Sequence, residues 1–278
     1  MNYNNKMNLE TFDINLHEKK IYSQNGEDGI LEFIFSKIGT TNKFSVEFGV
    51  GNGFECNTVH LLEKKNWTGL MMDYGADQDI QWKGILKKVW FNRNNGFSEN
   101  IKKYAKFSKK IIKRKERSVH FKLDIKNERI TAENIENLFQ KYQVPENFDL
   151  LSIDIDYNDF WVWKAIRKFH PRVLVIEFNA SIPPNESKVV PYDADAQWDG
   201  TNYFGASLLA LKNLSLEKNY TLLGCDSNGV NAFFCQSDLV KNFKIKDIKD
   251  LYRSPKYGEK INGIHIGHPP STKKMIEF

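Results

Sequence analysis

The chain has 278 residues, of which 41% are hydrophobic, enough to bury the core of one large α/β domain or two small ones. The sequence contains no apolar run that could cross a membrane and no signal-peptide pattern, and its three cysteines lack metal-type spacing. These features predict a cytoplasmic protein with reduced thiols, and the net charge of +5 does not by itself indicate nucleic acid as a partner.

The first predicted element is a helix within residues 1–40, which we interpret as an N-terminal helical cap. Ser23 is the expected N-cap, because its hydroxyl suits the free N–H groups of a first turn. A core is predicted for residues 41–240 and a C-terminal extension for residues 241–278. The apolar side chains of the helix share one face: Ile30, Leu31, Ile34 and Phe35.

Further along the chain, apolar runs alternate with helical periodicity, which is typical of a parallel sheet covered by helices. Strands are predicted at 44–48, 68–72, within 118–125, at 148–155 and at 173–178. Helices are predicted at 55–65, 131–142, 160–169, with Pro171 marking its end, and 206–218. Strands 220–225 and 230–236 flank the turn D-S-N-G and predict a hairpin. The expected fold is α/β and Rossmann-like, with a mostly parallel seven-stranded sheet and an antiparallel last strand.

The most informative stretch is V-E-F-G-V-G-N-G-F-E-C-N-T, residues 46–58. An apolar strand leads into the glycine turn, which we define as Gly49, Gly51 and Gly53. Glycine has no Cβ, so the backbone can approach a ligand closely. A helix is predicted to follow, and its free N–H groups would point at the same place. Strand, glycine turn and helix predict a nucleotide-type binding corner.

The spacing of the glycines limits the ligand. A dinucleotide fingerprint, G-x-G-x-x-G/A, would place Phe54 or Cys56 at its third position, and neither is the usual residue. The pattern E-x-G-x-G-x-G is typical of class I methyltransferases that use S-adenosylmethionine. In those enzymes the acidic residue, here Glu47, accepts hydrogen bonds from the methionine ammonium of the cofactor. A turn that binds nothing remains the structural alternative.

The ends of the next strands supply further cofactor-binding candidates. Asp73 ends the second strand, where a carboxylate can accept both ribose hydroxyls, although an Asp at a strand end is also common in ordinary turns. Tyr74 is expected to pack against the adenosine. Asp124 or Asn127, near the end of the third strand, is expected to meet the adenine amino group. Asn57, beside the glycine turn, is also predicted to bind the cofactor.

The second informative stretch is D-L-L-S-I-D-I-D-Y-N-D, residues 149–159. Asp154 and Asp156 differ by two positions and are expected to share one side of the fourth strand. Glu177 and Asn179 follow the next strand, so all four should converge. Asp154, Asp156 and Glu177 predict an oxygen site for Mg²⁺, Mn²⁺ or Ca²⁺ that acidifies a substrate hydroxyl. A metal-free general base and carboxylates that only cap helices are the alternatives.

Residues 180–205 form a long segment rich in proline, aspartate and aromatic residues, which we call the lid loop. Its candidates for sugar recognition are Tyr192, Asp193, Trp198 and Tyr203, with Asn179 beside them. The alternative is that Trp198 and Tyr203 only anchor the loop to the core. A basic run at 102–117 is either a solvated helix face or a patch for an anionic substrate.

Taken together, these motifs resemble the FkbM-like branch of class I S-adenosylmethionine-dependent methyltransferases. The similarity covers residues 21–236 and includes S-Q-N-G-E-D-G-I, V-E-F-G-V-G-N-G, L-L-S-I-D-I-D, V-I-E-F-N, V-P-Y-D, Y-F-G-A-S-L and G-C-D-S-N-G-V-N-A-F-F. The resemblance implies that Gln24 and Glu27 lie in an N-terminal helix that closes over the cofactor. It also implies O-methylation of sugars or other hydroxylated metabolites, often in capsule or surface-polysaccharide biosynthesis.

The expected activity is therefore O-methyl transfer from S-adenosylmethionine, with or without Mg²⁺ or Mn²⁺. The expected partner is a small-molecule or glycan substrate, anionic or nucleotide-linked, and a homodimer is a further hypothesis. Two alternatives stay open at the level of the sequence. One is an NAD(P)-dependent oxidoreductase that uses the same corner, and the other is a non-catalytic glycan-binding module with the same fold.

Overall fold

The computed structural model describes residues 11–51, 53, 55–74 and 124–278. A 3-10 turn, Ile14–His17, precedes the first helix. The helices are α1 (Glu27–Ile38), α2 (Val59–Lys64), α3 (Ile135–Lys141), α4 (Asp159–Ala165), α5 (Leu208–Glu217), α6 (Ser237–Val240) and α7 (Ile248–Leu251). The strands are β1 (Phe44–Phe48), β2 (Thr68–Asp73), β3 (Ile125–Asn127), β4 (Asn147–Ile153), β5 (His170–Glu177), β6 (Lys188–Val189), β7 (Tyr220–Cys225), β8 (Asn231–Gln236), β9 (Glu259–Ile261), β10 (Ile264–Gly267) and β11 (Ile276–Glu277).

The centre of the fold is a seven-stranded sheet with the order β3-β2-β1-β4-β5-β8-β7. Strands β1 to β5 pair in parallel, and β8 runs antiparallel to both of its neighbours. This confirms the predicted α/β class, the seven strands and the antiparallel last strand. The order along the sheet reverses between β1 and β4, and such a switch point opens a crevice at the carboxyl ends of the strands. We call this end of the sheet the carboxyl edge.

Helices cover both faces of the sheet because its central strands are apolar on both sides. On one face, α1 packs Ile30, Leu31, Ile34 and Phe35 against residues of β4, β5, β7 and β8. On the other face, α3, α4 and α5 pack against β1, β2, β4, β5, β7 and β8. Helix α2 lies over a smaller group made of Val50, Cys56, Val59 and Met71. The layers hold the carboxyl edge in place from both sides.

Several predicted helix ends differ from the structure. Helices α2 and α3 begin at Val59 and Ile135, each four residues later than predicted, and α5 spans Leu208–Glu217 instead of 206–218. Helix α1 begins at Glu27 with Gly26 as its N-cap, so Ser23 is not the N-cap. The Ser23 hydroxyl nevertheless accepts a hydrogen bond from the Asp28 N–H at 3.1 Å, and it donates one to the Asp28 carboxylate. Helix α4 ends at Ala165, and Pro171 lies within β5 rather than at a helix end. An early strand position tolerates proline because few ladder bonds are lost there.

The strand predictions differ at the ends that matter for the site. Strand β4 ends at Ile153, two residues earlier than predicted, and β3 occupies Ile125–Asn127, later than most of the predicted range. The basic run at 102–117 and positions 118–123 lie outside the described residues. Within the described ranges, no helix combines the length and the apolar character that crossing a bilayer requires.

Candidate functional site

The carboxyl edge brings together residues that are far apart in the sequence. The glycine turn follows β1, Asp73 ends β2, Asp154 follows β4 and Glu177 ends β5. Strand β1 lies between β2 and β4, so the glycine turn lies at the switch point of the sheet. This is the position at which open α/β sheets bind ligands.

At Gly49, both the backbone conformation and the close packing require a glycine. This residue has φ +68°, and its N–H donates to the Met72 carbonyl at 3.1 Å. A Cβ at Gly49 would lie 1.3 Å from the carbonyl oxygen of Asp154, so no other residue fits. The backbone of the turn therefore rests directly on the residue that follows β4.

Gly51 and Gly53 also have positive φ but different surroundings. The Gly51 N–H donates to the Asp73 carboxylate at 2.7 Å, and a Cβ at Gly51 would meet no atom of the described residues within 4 Å. The Gly53 N–H donates to the Val50 carbonyl at 2.8 Å. The turn thus closes on itself and leaves space beside Gly51, next to a carboxylate.

Glu47 is buried beneath the turn. Its carboxylate accepts hydrogen bonds from the N–H of Asn57 at 2.7 Å, the N–H of Thr58 at 3.0 Å and the Thr58 hydroxyl. Burial raises the pKa of the Glu47 carboxyl, and these three donors oppose the rise. The Asn57 side chain donates to the Ser152 hydroxyl at 3.0 Å. In this structure Glu47 and Asn57 fix the turn to the start of α2 and to β4, and their contacts with a cofactor stay predictions.

Asp73 is half-buried at the end of β2. Burial raises the pKa of its carboxyl, and the Gly51 N–H lowers it. Tyr74 is 66% exposed and stacks with the Arg129 guanidinium at 5.8 Å. Asn127 is the direct neighbour of Asp73 across β2 and β3. This places Asp73, Tyr74 and Asn127 together at the edge.

Asp124 and Gln24 lie in exposed positions. Asp124 precedes β3 and forms an ion pair with Lys126. Gln24 precedes α1 instead of lying within it, and its carbonyl accepts a hydrogen bond from Lys20. The structure gives neither side chain a contact that points to a ligand, so their roles in cofactor binding stay predictions.

Glu27, in the first turn of α1, is fully buried. It accepts hydrogen bonds from the Asn25 backbone N–H at 2.7 Å and from the side chains of Asn25 and Asn231 at 3.2 and 2.9 Å. Asn231 is the register partner of Glu177 across β5 and β8. The start of α1 is therefore tied to the carboxyl edge, next to the carboxylate that ends β5.

Three carboxylates at this edge form what we call the acidic cluster: Asp154, Asp159 and Glu177. One oxygen from each lies within 4.8 Å of the others. The sequence predicted Asp156 in place of Asp159. That prediction assumed that Asp154 and Asp156 share one side of the fourth strand. The assumption was wrong, because both residues lie beyond the end of β4 and Asp156 has φ +65°.

Asp159 is positioned by its own loop. It is the first residue of α4, and its Oδ1 accepts a hydrogen bond from the Ile155 N–H at 2.8 Å. This bond folds the loop after β4 back so that Asp159 reaches Asp154. Asp159 was present in the stretch quoted from the sequence, and an acidic residue at the first position of the next helix was the signal that could have singled it out.

The surroundings of the acidic cluster disfavour the ionised form of its three carboxyl groups. Burial, followed by the charges of Asp159 and Asp156, raises the pKa of Asp154 well above its usual value. Burial, followed by the charges of Asp154, Asp159 and Asp156, also raises the pKa of Glu177 well above its usual value. Burial raises the pKa of Asp159 to about 7. A site of this kind takes up either protons or a cation.

His268 acts electrostatically on Asp156, although no sequence motif singled out this histidine. Burial raises the pKa of Asp156, and the charge of His268 lowers it. His268 packs among the rings of Trp198, Phe204 and Tyr257, with centroids 4.5, 5.7 and 5.3 Å away. No local sequence signal marks this residue, because the chain brings it back only after β10.

The lid loop is held by many of the side chains predicted to bind substrate. Asn179 is buried and donates to the carbonyls of Asn202 and Phe204 at 2.8 and 3.0 Å. The Tyr192 hydroxyl donates to Glu133. The Asp193 carbonyl accepts from the Asn158 side chain at 2.7 Å. These contacts fix the course of the loop, and substrate contacts by Asn179, Tyr192 and Asp193 stay predictions.

Trp198 and Tyr203 lie where the lid loop meets the C-terminal segment. The Trp198 indole N–H donates to the Thr201 carbonyl at 2.7 Å, and the side chain is 38% exposed beside His268. The Tyr203 ring packs edge-on against Tyr157 at 6.0 Å. The polar atom of Trp198 is thus used within the loop, while part of its ring face is open to a partner.

A scan of the sequence against protein-family models finds no match, and no curated protein matches it significantly.

Proposed function

We propose that the protein is a class I S-adenosylmethionine-dependent O-methyltransferase whose acceptor is a hydroxyl of a sugar, a surface-glycan precursor or a related metabolite. The observation that carries the proposal is the contact of Gly49 with the Asp154 backbone. The glycine turn and the loop that carries Asp154 therefore lie side by side at the switch point of the sheet, which supports a donor site next to the acidic cluster. Five parallel strands followed by a hairpin with an antiparallel last strand agree with the class I methyltransferase core.

On the donor side, S-adenosylmethionine supplies a methyl group carried on a positively charged sulfonium. The open side of Gly51 supports a ligand at this place, because no atom of the described residues would lie within 4 Å of a Cβ there. Asp73 is held at its edge by the Gly51 N–H and is placed to accept hydrogen bonds from ribose hydroxyls. The negative charge of Asp73 favours a cationic donor.

On the acceptor side, the transfer forms a bond between the acceptor oxygen and the methyl carbon, breaks the sulfur–methyl bond and releases the hydroxyl proton. A carboxylate of the acidic cluster is placed to hold that proton, since a raised pKa makes it an effective base near neutral pH. The Trp198 side chain is 38% exposed, and its ring offers an apolar surface for a sugar. Positioning of the two reactants supplies much of the acceleration, roughly 7–11 kcal/mol in favourable cases.

The proposal extends to the cellular compartment of the protein, the class of its acceptor and its assembly. The three cysteines are free and buried, which agrees with a cytoplasmic protein. A nucleotide-linked or otherwise anionic sugar is the proposed acceptor class, and a homodimer is the proposed assembly. A screen of nucleotide sugars with methyl-labelled S-adenosylmethionine would identify the acceptor.

Calorimetry with S-adenosylhomocysteine and with NAD⁺ tests the proposed function directly. We expect the full chain to bind S-adenosylhomocysteine and to give no heat with NAD⁺. Binding of NAD⁺ without S-adenosylhomocysteine would instead establish the oxidoreductase alternative. Binding of neither compound would favour the non-catalytic glycan-binding module.

We expect Asp73→Ala to weaken S-adenosylhomocysteine binding at least tenfold. A hydrogen bond to a charged group contributes about 1.5–3 kcal/mol, and this carboxylate is placed to make such bonds with the ribose. The control is Asp238→Ala, which removes an exposed carboxylate in α6, next to the end of β8 that pairs with the start of β7. Calorimetry measures both affinities, and equal affinities for the two variants would remove Asp73 from the donor site.

A further inference from the structure

We propose that Asp154, Asp159 and Glu177 bind one divalent cation through carboxylate oxygens, and that Asp156 is not a ligand. The proposal concerns cation binding and does not require methyl transfer. It revises the ligand set that the sequence predicted by exchanging one aspartate for another three positions further on.

The spacing of the acidic cluster suits a single ion. Oxygen ligands lie about 2.3–2.6 Å from Ca²⁺ and about 2.0–2.1 Å from Mg²⁺, so two oxygens bound to one ion are at most about 5 Å apart for Ca²⁺ and about 4 Å apart for Mg²⁺. One oxygen each of Asp154, Asp159 and Glu177 satisfies the limit for Ca²⁺, because all three lie within 4.8 Å of one another. A smaller ion would draw the three side chains slightly closer together.

A second observation comes from Asp159 itself. The residue is 1% exposed, and its Oδ1 is held by the Ile155 N–H. Its Oδ2 is buried and has no hydrogen-bond partner among the described residues. The Oε2 atom of Glu177 is in the same condition. A buried carboxylate oxygen without a donor is costly, so these two atoms indicate that a group outside the described residues completes the site, and a cation is the group we propose.

The described part of the protein does not supply the balancing charge. Its ion pairs involve other acidic residues, and none includes a member of the acidic cluster. Three carboxylates this close repel one another unless a cation or protons lie between them. A divalent ion removes the repulsion for all three at once.

Asp156 has a different environment. Its positive φ follows from the loop that carries Asp159 back towards Asp154. The residue is exposed overall, while burial of its carboxyl raises the pKa and the charge of His268 lowers it. Its charge also acts on Asp154 and Glu177, but Asp156 does not belong to the group of oxygens within 4.8 Å of one another.

The chemical type of the three ligand atoms limits which metal ions the acidic cluster would bind. Carboxylate oxygens without histidine or cysteine select Mg²⁺, Mn²⁺ or Ca²⁺ over softer metals. Three protein ligands leave coordination positions for water or for oxygens of a substrate. In the context of the proposed function, an acceptor hydroxyl would occupy one of them.

Mn²⁺ binding measured by electron paramagnetic resonance tests the proposal on the full chain, with Mn²⁺ alone as the probe. We expect one bound ion in the wild-type protein and at least tenfold weaker binding in Asp159→Asn and Glu177→Gln. The matched control is Asp156→Asn, which removes the same charge from the same loop and should bind Mn²⁺ within about threefold of the wild type. Added Mg²⁺ should displace the Mn²⁺.

Thermal melts of the same samples separate a binding defect from misfolding. Mn²⁺ should raise the melting temperature of the wild type and of Asp156→Asn but leave Asp159→Asn unchanged. The proposal is overturned if the wild type binds no Mn²⁺, since the cluster would then hold protons, or if Asp156→Asn loses binding as Asp159→Asn does. S-adenosylhomocysteine binding in these samples reports separately on the donor site.

Discussion

Replacing Gly49 with alanine is expected to destabilise the protein by roughly 2–5 kcal/mol and to abolish binding of S-adenosylhomocysteine. An alanine at φ +68° costs about 1–2 kcal/mol in backbone strain, and overpacking adds about 1–3 kcal/mol. The new Cβ would lie 1.3 Å from the Asp154 carbonyl oxygen and 2.5 Å from its carbonyl carbon. Because both atoms belong to the backbone, the turn or the loop after β4 must move.

Gly51→Ala is the matched control for this prediction. Gly51 has a similar φ of +53°, but an added Cβ meets nothing within 4 Å in the part of the chain that the structure describes. The variant keeps the N–H that donates to Asp73, so only the backbone strain of about 1–2 kcal/mol remains. Urea unfolding compares the stability of the two variants. Calorimetry compares S-adenosylhomocysteine binding of Gly49→Ala with the wild type alone, because Gly51 borders the proposed donor site. Equal stability of the two alanine variants would show that the glycine turn does not rest on Asp154 in solution.

The sheet could be predicted from the sequence because its signals are local. The run F-S-V-E-F gave β1 with both ends correct, and the turn D-S-N-G located the hairpin of β7 and β8. Apolar strands and turn residues act over a few positions, so the pattern carries the information. The same local reasoning placed Asp73, Asp154 and Glu177 at one edge of the sheet.

The composition of the acidic cluster could not be predicted in the same way. Strand alternation favoured Asp156, but β4 ends at Ile153 and the hydrogen bond from Ile155 to Asp159 reverses the loop. The position of His268 depends on packing against Trp198 and Phe204, which are about seventy residues earlier in the chain. Interactions of this kind are decided by tertiary structure and leave no periodic signal.

Asp149 shows that a residue important for stability can also be missed when only the sequence is read. It was quoted as part of a motif without a role, yet it is fully buried and makes the densest set of hydrogen bonds near the amino ends of the strands. Its carboxylate accepts from the N–H groups of Thr41, Asn42 and Lys43 at 2.7–3.1 Å and from the Arg172 guanidinium at 2.9 Å. It thereby joins the α1–β1 connection to β4 and β5.

Asp149→Ala is therefore expected to destabilise the protein by about 3–5 kcal/mol, the cost of breaking a buried charge pair from one side. Arg172 would keep only the carbonyls of Ile38 and Gly39 as partners, both at 2.7 Å. The control is Asp195→Ala, whose exposed ion pair with Arg129 is worth about 0–1 kcal/mol. Urea unfolding at neutral pH measures both changes, and a loss no larger than that of the control would contradict the buried role of Asp149.

The pH dependence of this difference gives a second measurement. Burial raises the pKa of the Asp149 carboxyl, but Arg172 and the N–H donors outweigh burial and hold the pKa below its usual value. A group whose pKa is lowered by folding stabilises the folded state above its unfolded pKa, which is about 3.9 for aspartate. The stability gap between the wild type and Asp149→Ala should therefore be constant at neutral pH and shrink as the pH falls below about 4. A gap that stays constant down to pH 2 would show that the carboxylate is not stabilised by these donors.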